Sequence, residues 1–157
     1  MNTSAFLALS IACAPLVHPT TSRAVVETES GLNANAIGVV GGALQRQPRS
    51  KAEAIVTAEQ LISLGRNFSV GLAQINIRNL HRLGLSVADG FDSCKSLAAM
   101  QSIMSECFDR SKADVDEQAR LRLALSCYYS GNFTTGFRHG YVSRVIRHAQ
   151  TTARAPP

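Results

Sequence analysis

PTTSRAVVETESGLN, residues 19–33, carries helix signals at both ends and a stripe of apolar positions between them. Pro19 stands where a missing backbone N–H costs little, next to His18 or Thr20 as the entry residue, and Gly31 is typical of a left-handed helix end. The i, i+3, i+4, i+7 spacing of one helix face is followed by Ser22, Val25, Val26 and Glu29. The pattern therefore predicts a helix whose last turn places Glu29 at the edge of the core.

Glu29 is expected to be an unusually weak acid. Partial burial disfavours its charged form, and so does the negative end of the helix dipole one turn away. A carboxyl group that stays protonated near neutral pH is what a general acid for glycosidic cleavage requires. Glu27 lies on the opposite side of the helix and is expected to be solvated, with Arg23 as a surface partner. From periodicity alone, Glu29 fits a surface glutamate at a helix end better than a catalytic acid.

Three motifs follow one another along the chain: ESGLN at 29–33, GLAQIN at 71–76 and CYYSGN at 127–132. In this order and at these separations they resemble the lytic transglycosylases with a lysozyme-like domain. The closest resemblance is to the VirB-type branch that accompanies type IV secretion systems, and it extends from about Ala5 to Val145.

The resemblance implies a mainly α fold of the α+β lysozyme-like kind, in which a helical domain carries a small β-hairpin beside a glycan cleft. It implies that Glu29 cleaves the β-1,4 bond between N-acetylmuramic acid and N-acetylglucosamine and leaves 1,6-anhydromuramyl ends, with no metal or organic cofactor. The implied substrate-binding residues are Ser30, Gly71, Leu72, Gln74, Asn76, Tyr128 and Tyr129. The implied setting is the periplasm, with peptidoglycan strands and type IV secretion components as partners.

Two positions depart from the family pattern. Ala73 stands where the family usually has methionine, and Tyr129 stands where many relatives have an asparagine that contacts the sugar. The resemblance places Tyr128 beside Glu29, where its phenol could orient the carboxyl group by a hydrogen bond. Taken alone, Tyr128 would equally fit a core tyrosine. Gln74 alone would fit a buried structural glutamine better, and it is the resemblance that favours a binding role.

Two other functions stay open at this stage. A hydrolytic muramidase would need a second carboxylate, for which Asp89 and Asp92 are conceivable, although both fit turn and cap positions better. A non-catalytic peptidoglycan-binding assembly factor could use the same cleft, but it would have no need for an acid at Glu29.

Composition is that of one domain, with a lysozyme-like unit over residues 1–150 and a disordered tail over 151–157. The net charge of +5 favours an anionic partner, which could be nucleic acid, anionic lipid or the cell-wall polymer. The positive residues are scattered without a dense basic run, so nucleic acid is not expected.

The four cysteines are Cys13, Cys94, Cys107 and Cys127. They contain no C-x-x-C pair and the histidines show no ligand spacing, so no metal site is predicted. The even count fits two disulfides in an oxidising compartment or four buried thiols. The resemblance to a periplasmic family favours at least one disulfide.

The N-terminal segment allows two interpretations. Residues 12–14, Ala-Cys-Ala, have the form of a signal-peptidase site, yet no basic residue precedes them and Pro15 follows. We therefore expect residues 4–14 to form a structural helix, with an export signal that is not clear. The segment is too short to span a bilayer, and no other run comes close.

Local signals predict the remaining elements. Two short apolar runs about Gly41-Gly42 predict a hairpin within residues 35–47. A capping box formed by Ser50 and Glu53 opens the next helix. The predicted helices after Pro48 cover residues 51–64, 76–83, 93–109, 117–129 and 140–148.

Overall fold

The computed structural model describes residues 1–154, most of which are helical. The helices are α1 (Thr3–Cys13), α2 (Pro19–Ser30), α3 (Lys51–Ser63), α4 (Ile77–Arg82), α5 (Val87–Gly90), α6 (Ser93–Arg110), α7 (Glu117–Ser130), α8 (Thr135–Arg138) and α9 (Tyr141–Arg154). The strands are β1 (Ile37–Val39), β2 (Phe68–Val70) and β3 (Ile75–Asn76), which form one antiparallel sheet in the order β1-β2-β3. This architecture confirms the predicted mainly α, lysozyme-like fold with a small β element.

The helix predicted from residues 19–33 is present with both of its predicted ends. His18 Nδ1 accepts a hydrogen bond from the backbone N–H of Thr20 at 3.3 Å, and Gly31 closes α2 with a left-handed φ of 60°. Val25 and Val26 are completely buried, and α2 packs most extensively against α9. The core therefore surrounds the helix that carries Glu29.

The predicted hairpin within residues 35–47 is wrong. β1 pairs with β2 instead, with Ile37 opposite Val70. The chain does turn at Gly41, but no strand returns from it. The side-chain amide of Gln47 bonds the edge of β1 where a returning strand would lie. It accepts a hydrogen bond from the Ile37 N–H at 2.8 Å and donates one to the Ile37 carbonyl at 2.9 Å. The free edge of β1 is thus satisfied without a partner strand.

The last helix is longer than its local signals predicted. α9 continues to Arg154, so the first four residues of the predicted tail are helical. Its apolar side, which includes Val145, Ile146 and Ala149, packs on the core and supports the extra turns. Residues 155–157 lie outside the described part of the chain.

The N-terminal segment forms a structural helix, as predicted. Phe6 in α1 is 1% exposed, and Cys13 at the end of α1 is bonded to Cys94 at the start of α6. Within residues 1–154, no helix has both the length and the apolar character that crossing a membrane requires.

Both disulfides are formed, which confirms the prediction of at least one. Cys13 pairs with Cys94, and Cys107 in α6 pairs with Cys127 in α7. The second bond lies directly before Tyr128, so it ties the cleft wall described below to the long helix α6.

Removing the disulfides should destabilise the protein unequally. The Cys13–Cys94 bond joins residues 81 positions apart, whereas the Cys107–Cys127 bond spans 20. Because longer closed loops restrict the unfolded chain more, we expect losses of about 4–5 and about 3 kcal/mol for the respective double alanine variants. Urea unfolding of both variants beside the parent measures this. Four titratable thiols in oxidised, denatured parent protein would contradict both bonds.

Candidate active site

A cleft of about 310 Å³ lies between the end of α2, the small sheet and α7. Glu29 lines it together with four of the predicted substrate-binding residues, Gln74, Asn76, Tyr128 and Tyr129. The three sequence motifs therefore meet at one place in the fold, although 37 residues lie between the first and second motifs and 50 between the second and third.

Glu29 is partly buried, and its side chain has one hydrogen-bond partner among residues 1–154. Its Oε1 accepts a hydrogen bond of 2.6 Å from the hydroxyl of Tyr141, which is itself 2% exposed. Burial raises the pKa of Glu29 to about 7, and this outweighs the hydrogen bond from Tyr141 and the positive charge of Arg144, which both lower it. Glu29 can therefore give and take a proton near neutral pH.

The orienting tyrosine is Tyr141, so the hydrogen bond predicted for Tyr128 is wrong. The Tyr128 hydroxyl donates to the backbone carbonyl of Ala73 at 2.6 Å instead. It thereby joins α7 to the loop of the second motif. Sequence reasoning missed Tyr141 because it lies 112 residues from Glu29 and opens a helix with no catalytic motif. Its signal was a tyrosine at a core position, since a buried hydroxyl needs a partner.

Three predicted substrate-binding residues do not line the cleft. The Ser30 hydroxyl donates to the Leu72 carbonyl at 2.7 Å, and the Leu72 side chain is 1% exposed. Gly71 has a φ of 79°, and a Cβ there would lie 1.9 Å from the Gly90 carbonyl oxygen. These residues hold the loop of residues 71–74 against α2 and α5.

Gln74 reaches the cleft from a strained position. It has a φ of 49°, and its Nε2 donates to the carbonyls of Ala36 and Gly71, each at 3.0 Å. A Cβ on Gly38 would lie 2.7 Å from Gln74 Oε1, so only glycine leaves room for this amide. With both amide hydrogens committed, Gln74 offers the cleft an acceptor oxygen.

Asn76 is anchored in the same way. Its Oδ1 accepts from the Arg78 N–H at 3.0 Å and caps α4, while Nδ2 donates to Asn67 Oδ1 at 2.9 Å. The amide on this wall of the cleft is thus fixed before any ligand arrives.

Tyr129 is the most exposed aromatic ring of the cleft, with 40% of its surface accessible. It stacks on Tyr141 at 4.6 Å between ring centroids and 15° between planes. Its hydroxyl shares a hydrogen bond of 3.0 Å with Nδ1 of His139, which follows α8.

Glu27 is separate from the cleft. Its Oε1 bonds Arg23 Nε at 2.8 Å, which confirms the predicted pair, and its Oε2 lies 3.3 Å from His148 Nδ1. The side chain is only 19% exposed, so the expectation that Glu27 is solvated is wrong. The reason is that α9 packs beside α2 and covers this face.

The two aspartates considered as partners of Glu29 are structural. Asp89 completes a capping box with Ser86 and pairs with Lys95, and these contacts lower its pKa to about 2. Asp92 caps α6 by accepting from the Lys95 N–H at 2.9 Å. Over residues 1–154, Glu29 is the one carboxylate that lines the cleft.

A larger cavity, of about 690 Å³, lies at the opposite end of α2 beside Thr20 and Thr21. It contains none of the predicted site residues. By volume alone this cavity would be the candidate active site, but Glu29, whose pKa is raised to about 7, lies in the smaller cleft. The raised pKa of Glu29 therefore favours the smaller cleft as the active site.

Replacing Tyr141 by phenylalanine should slow any reaction that uses Glu29 by about tenfold, because the carboxyl group loses the donor that orients it. That donor also favours the charged carboxylate, so its removal should raise the pKa of Glu29 further. A pH–rate profile of Tyr141→Phe should show its alkaline limb displaced to higher pH. An unchanged rate and limb would contradict this role.

The comparisons with known proteins agree with this geometry. Residues 6–149 match the family model described as the transglycosylase SLT domain. The chain is 47% identical over 156 residues to the type IV secretion system protein virB1 of Brucella abortus and to that of Brucella suis, covering 95% of this chain and 66% of each relative. It is 34% identical over 140 residues to protein virB1 of Agrobacterium fabrum, covering 88% of this chain and 56% of that protein.

The chain thus spans about two thirds of the length of the Brucella relatives it matches. No solved structure gave a significant match. Because the family model covers residues 6–149, this chain belongs to the transglycosylase SLT domain family.

Proposed function

We propose that this chain is a peptidoglycan lytic transglycosylase that cleaves the β-1,4 bond between N-acetylmuramic acid and N-acetylglucosamine. The observation that carries the proposal is Glu29, a carboxyl group with a pKa of about 7 in a cleft that holds no second carboxylate among residues 1–154. A single group that is half protonated at neutral pH can serve first as an acid and then as a base.

The two proton transfers follow from that one group. Protonated Glu29 delivers its proton to the glycosidic oxygen as the bond to the muramyl C1 breaks, and the N-acetylglucosamine end leaves as an alcohol. The resulting carboxylate then takes the proton of the muramyl 6-hydroxyl, whose oxygen bonds to C1. The product is a 1,6-anhydromuramyl end, no water is consumed, and Glu29 is protonated again.

The substrate supplies the nucleophile in this scheme. Water attack would need a second carboxylate to activate it, and Asp89 and Asp92 are committed to helix caps. The 6-hydroxyl is tethered to the reacting sugar, so it has a large proximity advantage over bulk water.

We assign the other site residues to two groups. Gln74, Asn76, Tyr128 and Tyr129 line the cleft and bind the glycan. The second group does not contact the glycan but positions the loop that carries Gln74; it consists of Ser30, Gly71 and Leu72.

The proposed setting is the periplasm, where the enzyme would open the wall locally for a type IV secretion system. This proposal is supported by the Brucella relatives, which are type IV secretion system proteins by name, and by the two disulfides, which suit an oxidising compartment.

Incubating the oxidised parent protein with purified peptidoglycan tests the proposal. We expect soluble muropeptides to appear at neutral pH without added metal or cofactor. Sedimentation of the protein with peptidoglycan but no release of muropeptides would instead indicate a binding and assembly factor.

A further inference from the structure

Tyr129 differs from Tyr128 and Tyr141 in that its hydroxyl bonds neither the backbone nor Glu29 among residues 1–154. Tyr128 donates to a backbone carbonyl and Tyr141 donates to Glu29, whereas the Tyr129 hydroxyl bonds only the exposed side chain of His139 among residues 1–154. A large ring that is 40% exposed inside a cleft is available to a ligand.

The ring of Tyr129 is fixed from two sides. One face stacks on Tyr141 with only 15° between the planes, and the ring of His139 meets it nearly edge-on at 77°. The hydrogen bond of 3.0 Å between the hydroxyl and His139 Nδ1 restrains rotation within this stack. Tyr141 is itself 2% exposed and cannot move aside.

We propose that Tyr129, held between Tyr141 and His139, is an aromatic platform on which one hexosamine ring of the glycan strand stacks. The β-1,4-linked pyranose ring has an apolar face of axial C–H groups, which packs on an aromatic face. His139 is the positioning residue, since it bonds the Tyr129 hydroxyl but does not itself line the cleft. The inference rests on the proposed glycan-binding function. It adds that the ring of Tyr129 is the surface of the cleft that binds the apolar face of the sugar.

At residue 129 the aromatic ring stands in place of the polar side chain that many relatives of the family have there. An amide here would bond the polar substituents of a sugar, whereas a phenol ring bonds the carbon face and excludes water from it. We therefore expect affinity at this subsite to depend on aromaticity at residue 129 and little on the hydroxyl itself.

Binding can be tested apart from catalysis in the Glu29→Gln background, with a β-1,4-linked N-acetylglucosamine tetramer as the probe in calorimetry. Tyr129→Leu should weaken binding about tenfold, which corresponds to about 1.4 kcal/mol, and Tyr129→Phe should stay within about threefold. Phe137→Leu is the matched control, because Phe137 is 44% exposed on α8 but does not line the cleft.

The role of His139 has its own signature. His139→Ala should weaken binding about threefold, His139→Gln should restore it, and His139→Ala should add nothing in the Tyr129→Phe background. The chain has three tyrosines and no tryptophan, so tyrosine fluorescence reports on this site directly. We expect the tetramer to change it in Glu29→Gln but not in Glu29→Gln/Tyr129→Leu.

The platform is overturned if Tyr129→Leu binds as tightly as its reference, if Phe137→Leu loses as much affinity, or if the Glu29→Gln reference binds no tetramer. These results differ from the result expected if the proposed enzymatic activity is wrong and the platform is right. The tetramer would then still bind in a manner that depends on Tyr129, while the parent would release no muropeptides.

Discussion

Glu29→Gln is expected to fold like the parent and to lose activity on peptidoglycan by a factor on the order of 10² or more. The amide keeps the shape of the side chain and can still accept the 2.6 Å hydrogen bond from Tyr141. It cannot deliver a proton to the glycosidic oxygen. Muropeptide release and thermal unfolding, measured on the same preparation, separate loss of chemistry from loss of structure.

Glu27→Gln is the matched control, since it makes the same change two residues away on α2. Glu27 faces Arg23 and His148 rather than the cleft. Its variant should keep nearly all the activity and lose a little stability with the ion pair. If both glutamine variants cleave peptidoglycan as the parent does, Glu29 is not the acid.

The products are expected to be almost entirely 1,6-anhydromuropeptides. Among residues 1–154, Glu29 is the one carboxylate that lines the cleft, so the proposed mechanism has no second carboxylate to activate water or to form a covalent glycosyl intermediate. Mass spectrometry of the digest should therefore find muropeptides lighter by one water than their hydrolysed counterparts and without a new reducing end.

Reducible muropeptides as the main product would move the chain to the hydrolytic class. Asp89→Asn and Asp92→Asn would then be the first variants to examine. Both aspartates cap helices here, so under the present mechanism these variants should alter stability and leave the product unchanged.

The helices were largely predictable because their signals are local. α2 and α3 begin and end at residues whose cap chemistry is visible in the sequence, and in α2 the i, i+3, i+4, i+7 spacing also indicates which face is buried. In α3 it does not, because the buried residues are Ala54 and Ala58 while the larger Val56 and Ile62 are exposed. The sheet was not predictable in the same way. Ile37 could pair with residues across the nearby Gly41 turn or with Val70 much further on, and Gln47 decides between them by filling the free edge.

In the site, too, the features set by local spacing were predictable and those set by tertiary packing were not. The partial burial of Glu29 follows from its spacing with Val25 and Val26, and so does the direction of its pKa change. Tyr141 could not be assigned to Glu29 from sequence, because their contact depends on how α9 lies on α2. The two tyrosines of the third motif could not be told apart either, since only the fold directs one hydroxyl to Ala73.

The raised pKa of Glu29 also links its ionisation to stability. The folded value of about 7 lies above the ordinary value of 4.5, so folding favours the protonated form. This contribution is fully present below pH 4.5 and is lost as the pH rises through 7. Glu29→Gln has no charge to bury, so its free energy of unfolding should not fall over that interval as the parent's does.

The proposed mechanism depends on Glu29 keeping its proton close to neutral pH. A ¹³C NMR titration of the glutamate side-chain carboxyl groups measures this directly, with the Glu29 signal assigned by its absence from the Glu29→Gln variant. The proposed mechanism predicts a midpoint near 7, which coincides with the alkaline limb of the pH–rate profile. A midpoint near the ordinary value of 4.5 would contradict it, because Glu29 would then have no proton to give at neutral pH.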